Sequence, residues 1–246
     1  MDSSELDRST GYRPEFKFYD ENLRMLTWYA DRLVAAVQRA GARSLLSLGI
    51  GHQVVSRTIL GRLGGSLGEY TIVEGSAARI AEFRAQTPIP ASVRLENALF
   101  EQFEAPHPID AIEMGFVLEH VDDPRLIVSR FASFLRPGGV LVIVVPNARS
   151  LHRLVGYRAG LLDDPYRLSP QDLELGHQRY FDLESIRAVI REAGLRILVT
   201  EGIFLKCVTT EQLARLGLSP EVMDGFFRVA VDYPEISNAI YLETTR

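Results

Sequence analysis

The stretch Leu45-Leu46-Ser47-Leu48-Gly49-Ile50-Gly51-His52-Gln53, followed some twenty residues later by Val73-Glu74, constrains this chain more than any other segment. An aliphatic run without polar alternation reads as a strand buried on both faces, as in a parallel sheet. Glycines directly behind it permit a tight turn and leave bare backbone for a ligand to approach. An acidic residue closing the next strand offers acceptors to a ribose diol. Such a turn and such a carboxylate meet at the carboxyl end of a doubly wound sheet, where nucleotide-type ligands bind.

The rest of the chain keeps the alternation that this sheet requires. Apolar residues at helical intervals predict helices over residues 20–39, 54–63, 77–84, 124–134 and 182–193. Short apolar runs predict strands over 70–73, 92–95, 109–114, 140–145 and 195–200, and a last strand over 239–243. Val140 to Val145 is the clearest of these, a nearly continuous β-branched run ended by Pro146. Leu135-Arg136-Pro137-Gly138-Gly139 reads as the stop of the preceding helix. Two further helices are predicted over 209–216 and 220–227. The order of elements implies one α/β domain over residues 1–246, a mostly parallel sheet covered on both faces. Residues 1–40 form an amino-terminal cap carrying the first helix. Residues 147–181 are polar, aromatic and basic, without strand periodicity. They are too long for a plain connector, and we expect a lid or substrate wall there.

Composition narrows the functional classes. Of 246 residues, 46% are hydrophobic and 24% charged, ordinary for a chain with a sizeable core. A formal net charge of −5 without a basic run disfavours a nucleic-acid partner. No apolar stretch reaches the roughly 18 residues of a membrane span, and the polar start from Met1 to Arg13 lacks a signal-peptide core. Cys207 is the single cysteine, so no internal disulfide is available, and a cytoplasmic setting is expected. Cys207 itself reads as a small core hydrophobe near a strand end.

The glycine turn alone does not choose its ligand. The dinucleotide fingerprint wants Gly-x-Gly-x-x-Gly, but Val54 occupies the third glycine position, and no Walker lysine follows. What remains is an ordered set: Gly49-Ile50-Gly51, Glu74, Leu118-Glu119-His120-Val121 after the fourth strand, and Leu135-Arg136-Pro137-Gly138-Gly139 before the fifth. In this set the chain resembles the class I S-adenosylmethionine-dependent methyltransferases of the small-molecule branch, from about Ser44 to Thr200. The resemblance implies a Rossmann-like, seven-stranded sheet whose last strand is antiparallel. It implies that Gly49 and Gly51 face the methionine part of S-adenosylmethionine, and that Glu74, with Gly75, holds the ribose. Ala98, Leu99 and Phe100 would wall the adenine, Gly115 would border the cofactor, and Tyr19 would close over its carboxylate. Three positions depart from the family pattern: Ser47 stands where an acid usually precedes the turn, Gln53 where a glycine is frequent, and no aspartate occupies position 98 or 99.

Methyl transfer from a sulfonium is an in-line displacement, so alignment and a base for the acceptor's proton are the main requirements. Histidine titrates near neutrality. His120, on the expected carboxyl edge of strand four, is the candidate catalytic base; the alternative is a packing role at the start of the following helix. His152, His177 and Tyr180 in the insertion are candidate acceptor contacts. Arg149 and Arg179, with Arg153 and Arg158, suggest an anionic acceptor, against the simpler reading of a solvated basic face. Glu119, His120, His152 and His177 include no pair at a recognised ligand spacing, so no metal is expected. The helices over 209–227 offer either core cover or a homodimer contact.

The expected function is therefore methylation of oxygen or nitrogen on a small polar acceptor, a sugar, a surface-glycan precursor or a natural product. A non-catalytic cofactor-binding scaffold and an NAD-type oxidoreductase remain as alternatives, the latter weakened by the missing third glycine.

Overall fold

A computed structural model describes residues 13–246, so the polar start of the chain lies outside the described residues. Chain order is α1 (Tyr19–Arg39), β1 (Ser44–Leu48), α2 (Val54–Leu63), β2 (Glu69–Glu74), α3 (Ala77–Gln86), β3 (Val93–Asn97), β4 (Ile109–Gly115), α4 (Pro124–Phe134) and β5 (Leu135–Pro146). There follow α5 (Leu151–Arg158), α6 (Pro170–Glu174), α7 (Leu183–Glu192), β6 (Arg196–Ile203), α8 (Thr210–Arg215), α9 (Pro220–Ala230) and β7 (Ala239–Thr245). The seven strands form one sheet in the order β3-β2-β1-β4-β5-β7-β6. β1 to β5 pair in parallel, and β7 runs antiparallel between β5 and β6. The doubly wound, seven-stranded fold is the one expected.

β5 illustrates why the sheet needs cover on both faces. Val140, Val142 and Val144 enter one apolar cluster, with Tyr29, Leu33 and Ile59. Leu141, Ile143 and Val145 enter the other, with Phe131, Ile186 and Ile190. Side chains alternate across a strand, so a continuous apolar run feeds two cores, one under α1 and α2 and one under α4 and α7. Local signals fix the helix starts. Asp123 caps α4 by accepting from the backbone N–H of Arg125 and Leu126, with Pro124 in the first turn. Ser169 and Asp182 open α6 and α7 with capping boxes.

Three expectations change. The Leu135-Arg136-Pro137-Gly138-Gly139 stretch is not a helix stop standing before β5; it is drawn into the strand, with Leu135 paired to Ile109 across an irregularity in the β4–β5 ladder. Close approach explains its second glycine: a Cβ on Gly139 would lie 2.7 Å from the Asp110 carbonyl oxygen. The region from 147 to 181 carries α5 and α6, and it returns to the sheet through a bridge between Asn147 and Phe181. Both helices are short and α5 buries no residue fully, so neither leaves a clear period in the sequence. Cys207 is exposed, because it falls in the turn beyond β6 rather than within the strand. Among the described residues no helix is long and apolar enough to cross a membrane.

The inner end of β4 is held by a buried polar contact. The Tyr29 hydroxyl donates to Glu113 Oε1 at 2.6 Å, and the same oxygen accepts from Gly115 N at 2.8 Å. Tyr29 is wholly buried, and its ring lies against Gly115 so closely that an added Cβ would meet Cε1 at 2.4 Å. Gly115→Ala must therefore displace an aromatic ring inside a filled core, and we expect a loss of about 1–3 kcal/mol. Urea unfolding reads this as a lower midpoint at unchanged slope.

Candidate active site

The sheet reverses its strand order between β1 and β4, and in doubly wound sheets the crevice for ligands lies at the carboxyl ends of the strands at such a point. The glycine turn lines one side. Gly49 (φ +84°) and Gly51 (φ +53°) adopt the left-handed backbone that the sequence pattern requires, and Gly49 N donates to the Val73 carbonyl at 2.7 Å. Gln53 is also left-handed (φ +67°), which explains why glycine suits this position; here Arg57 Nη2 holds its side-chain oxygen at 2.7 Å.

Glu74 clasps the turn. Its carboxylate accepts from Ile50 N at 3.0 Å through Oε2 and from Ser76 N at 2.9 Å through Oε1. Asn97 Nδ2 closes the next strand end by donating to the carbonyls of Glu74 and Gly75, each at 3.0 Å. The expected adenine wall adjoins the turn: a Cβ on Gly49 would touch the ring tip of Phe100 at 4.0 Å, and Ala98 and Phe100 pack on the lower core. Leu99 opens a turn, its carbonyl accepting from Gln102 and Phe103. Tyr19, at the start of α1, stacks obliquely on His52 of the glycine turn with centroids 5.1 Å apart.

These residues fit S-adenosylmethionine. Both glycines leave the backbone uncovered, and around Gly51 even an added Cβ would meet nothing within 4 Å. A carboxylate offers about four acceptor sites, of which backbone N–H groups occupy two at Glu74, leaving capacity for a ribose diol.

The segment after β4 forms the other side. His120 Nδ1 faces the Gly176 carbonyl at 3.3 Å, and the His120 and His177 rings meet edge to face at 4.8 Å. His177 Nδ1 lies 3.4 Å from Asp172 Oδ1, and the Tyr180 hydroxyl donates to the same oxygen at 3.0 Å. Glu119, weighed in the sequence only as a metal ligand without a recognised spacing, is wholly buried beside them, and neither of its oxygens has a partner at hydrogen-bonding geometry. Donor atoms of Glu119, His120 and His177 all lie within 4.8 Å of one another, although no sequence spacing suggested it. The signal available was an acid beside a histidine in an otherwise apolar turn.

Burial sets the protonation states. It pushes the Glu119 carboxyl up to about 7, against the pull of His177 and Arg179. It pushes His120 down to about 3, helped by the neighbouring His177, so this imidazole is neutral and a weak base. His152, in α5, also falls to about 3 through burial and the charges of Lys206 and Arg153; it does not join the Glu119 group. Asp172 moves the other way: despite burial, hydrogen bonds from His177 and Ser169 hold it at about 2.

Two of the four insertion arginines are committed to the protein's own carbonyls. Arg179 spends its guanidinium on the carbonyls of Leu118, Val121 and Asp122, where it holds the loop after β4. Arg153 donates to the carbonyls of Pro165 and Arg167 and stacks on Tyr180 at 4.2 Å. Arg149 is exposed, its backbone N–H bonded to Asn147 Oδ1. Arginines bound to backbone carbonyls are structural, so two of the four leave the anion-binding reading.

A profile of the methyltransferase-domain family matches residues 19–200. The chain is 30% identical over 175 residues to a ubiquinone biosynthesis O-methyltransferase of Xylella fastidiosa, covering 68% of this chain and 66% of that protein. It thus spans just under two thirds of the length of that curated relative. A protein of the same name in Xanthomonas campestris is 29% identical over 118 residues, 48% of each chain. Among solved structures, the N-methyltransferase NodS of Bradyrhizobium japonicum, in complex with S-adenosyl-L-homocysteine, aligns with a TM-score of 0.59 at 12% identity, over 99% of this chain and 97% of its own. An S-adenosylmethionine-dependent methyltransferase of Mesorhizobium loti gives 0.59 at 15% identity, over 88% and 96%. The family match over most of the chain, with this fold, makes the protein a member of the class I S-adenosylmethionine-dependent methyltransferases.

Two substitutions test the local physics. Gln53→Gly relieves a left-handed non-glycine residue, and we expect a gain of about 0.5–1 kcal/mol in urea unfolding. His152 has a folded-state pKa of about 3 against the usual 6.5, so the folded chain binds this proton less tightly than the unfolded one. Its contribution is therefore present above 6.5 and lost as pH falls toward 3. His152→Gln should flatten the Tm–pH profile in that window, by at most about 1.4 kcal/mol per pH unit.

Proposed function

We propose that this chain methylates a hydroxyl group on a small polar acceptor, a sugar of a glycan precursor or a natural product, with S-adenosylmethionine as donor. The observation that carries the reading is the Glu74 clasp on the Gly49–Gly51 turn, facing the His120 side of the same crevice. The bound cofactor supplies a methyl group already activated on a sulfonium. Transfer to oxygen rather than nitrogen is supported by the named activity of the Xylella and Xanthomonas relatives.

In this reading the chain's own groups do three things. Gly49, Gly51 and Glu74 fix the donor's orientation, and Phe100 and Tyr19 cover it on two sides. Residues 147–181 act as the acceptor wall, with His177 and Tyr180 oriented by Asp172. His120, held neutral at a pKa of about 3, borders the acceptor without serving as its base, and the acceptor's proton is released to water. The new oxygen–carbon bond forms as the sulfur–carbon bond breaks, with its electron pair left on sulfur as a neutral thioether.

Calorimetry with S-adenosylhomocysteine tests the donor half. Binding is expected for the unmodified protein, and no heat at millimolar ligand overturns the reading. Glu74→Ala should weaken binding by about 1–3 kcal/mol, because it removes an acceptor from a buried contact.

A further inference from the structure

We propose that Glu119, His120 and His177 bind a divalent transition-metal ion at the acceptor side of the crevice. The proposal deepens the methyltransferase reading and rests on it for the ion's role, while the binding itself does not depend on it.

Three observations point to a ligand here. Glu119 is a wholly buried carboxylate with both oxygens unpartnered, an arrangement that costs several kcal/mol unless a cation or donor occupies the space before it. Two imidazoles stand beside it, and the candidate donor atoms of all three residues lie within 4.8 Å of one another. Bonds of about 2.0–2.2 Å to a shared ion need donors somewhat closer than this, so each would draw in by roughly an ångström.

Outer contacts are also of the kind that metal-bound histidines use. His120 Nδ1 meets the Gly176 carbonyl at 3.3 Å. His177 is held by Asp172 through the backbone, its main-chain N–H donating to the Asp172 carbonyl at 2.9 Å, while Nδ1 itself has no hydrogen-bond partner among the described residues. At His120 an N–H held to that carbonyl fixes the tautomer and leaves the other ring nitrogen with its lone pair, while the unpartnered Nδ1 of His177 stays available as a ligand. The two halves of the site are joined by hydrogen bonds to main-chain carbonyls: Gln178 N donates to that of Glu119 at 2.8 Å, and Gln178 Nε2 to that of His120 at 2.7 Å. Such fastening holds the ligands before the ion arrives, as a metal site requires.

Two imidazoles and one carboxylate suit zinc, manganese, iron or cobalt better than magnesium or calcium, which favour all-oxygen sets. Three protein ligands leave positions open. An acceptor hydroxyl at an open position would be a stronger acid, which bears directly on an oxygen-directed transfer. The acceptor class that follows is one with a hydroxyl, or two adjacent oxygens, able to reach the ion.

The test uses the full chain, stripped with chelator and titrated with cobalt(II) alone. One equivalent is expected to bind with visible d–d absorption, and in cobalt-loaded protein the ligand imidazole N–H protons should give strongly shifted resonances. Glu119→Gln and His177→Gln should each weaken cobalt binding at least tenfold. No stoichiometric binding, no shifted imidazole resonances, or unchanged affinity in both variants overturns the proposal. The resonances are read in the unmodified protein, so a variant that fails to fold does not remove the test. S-adenosylhomocysteine calorimetry in parallel separates the two readings: cobalt bound without nucleoside binding removes the methyltransferase assignment alone, and the reverse removes the metal site alone.

Discussion

The reversal of strand order between β1 and β4 governs what this molecule can do. Chains leaving neighbouring parallel strands cross to opposite flanks there, which is where doubly wound sheets admit ligands. The glycine turn follows β1, and the Leu118-Glu119-His120 segment follows β4. Residues more than sixty positions apart therefore face one another without any contact between their own elements being needed. The two sides differ chemically: one offers bare backbone and a clasped carboxylate, the other imidazoles and a buried acid.

The acceptor side depends on a second, weaker device. Nothing in the sheet holds residues 176–180 against the loop after β4. Hydrogen bonds do this instead: Gln178 and Arg179 reach the carbonyls of Leu118, Glu119, His120, Val121 and Asp122. Asp172 then fixes both His177 and Tyr180 from the short helix α6. Arg179, which looked like a contact for an anionic acceptor, is spent on this fastening. Its charge remains near Glu119 and moderates the carboxyl group, but its hydrogen-bond donors face the protein.

The sheet was legible because its information is local. β-branched runs, a glycine turn and capped helices each carry a short-range signal, and the bounds of α2, α4 and the core of β5 follow from it. Glu74, His120 and His177 could be singled out because they belong to recognisable segments. Glu119 belongs to the same motif as His120 but lacked a ligand spacing to give it a role, since its want of a partner is a property of three-dimensional surroundings. The fate of the arginines was hidden for the same reason: composition shows a positive charge, while only packing shows that carbonyls have claimed its donors. α5 and α6 were missed because helices of eight and five residues hold too little periodicity to stand out.

The departures from the family pattern sort differently once the backbone is in view. Ser47 is buried at the end of β1, its hydroxyl 3.1 Å from that of Tyr70, and its register partner on β4 is Glu113. The interior beside the turn therefore still contains a carboxylate; it comes from β4 and not from β1. Glu113 accepts from the Tyr29 hydroxyl and from Gly115 N, so it ties α1 to the strand end from which the His120 loop departs. Burial raises its pKa, and the hydrogen bonds oppose that shift. A carboxylate at position 47 would stand directly across from this one, and two like charges in one buried register pair repel. The serine is thus compatible with the glutamate on the adjacent strand.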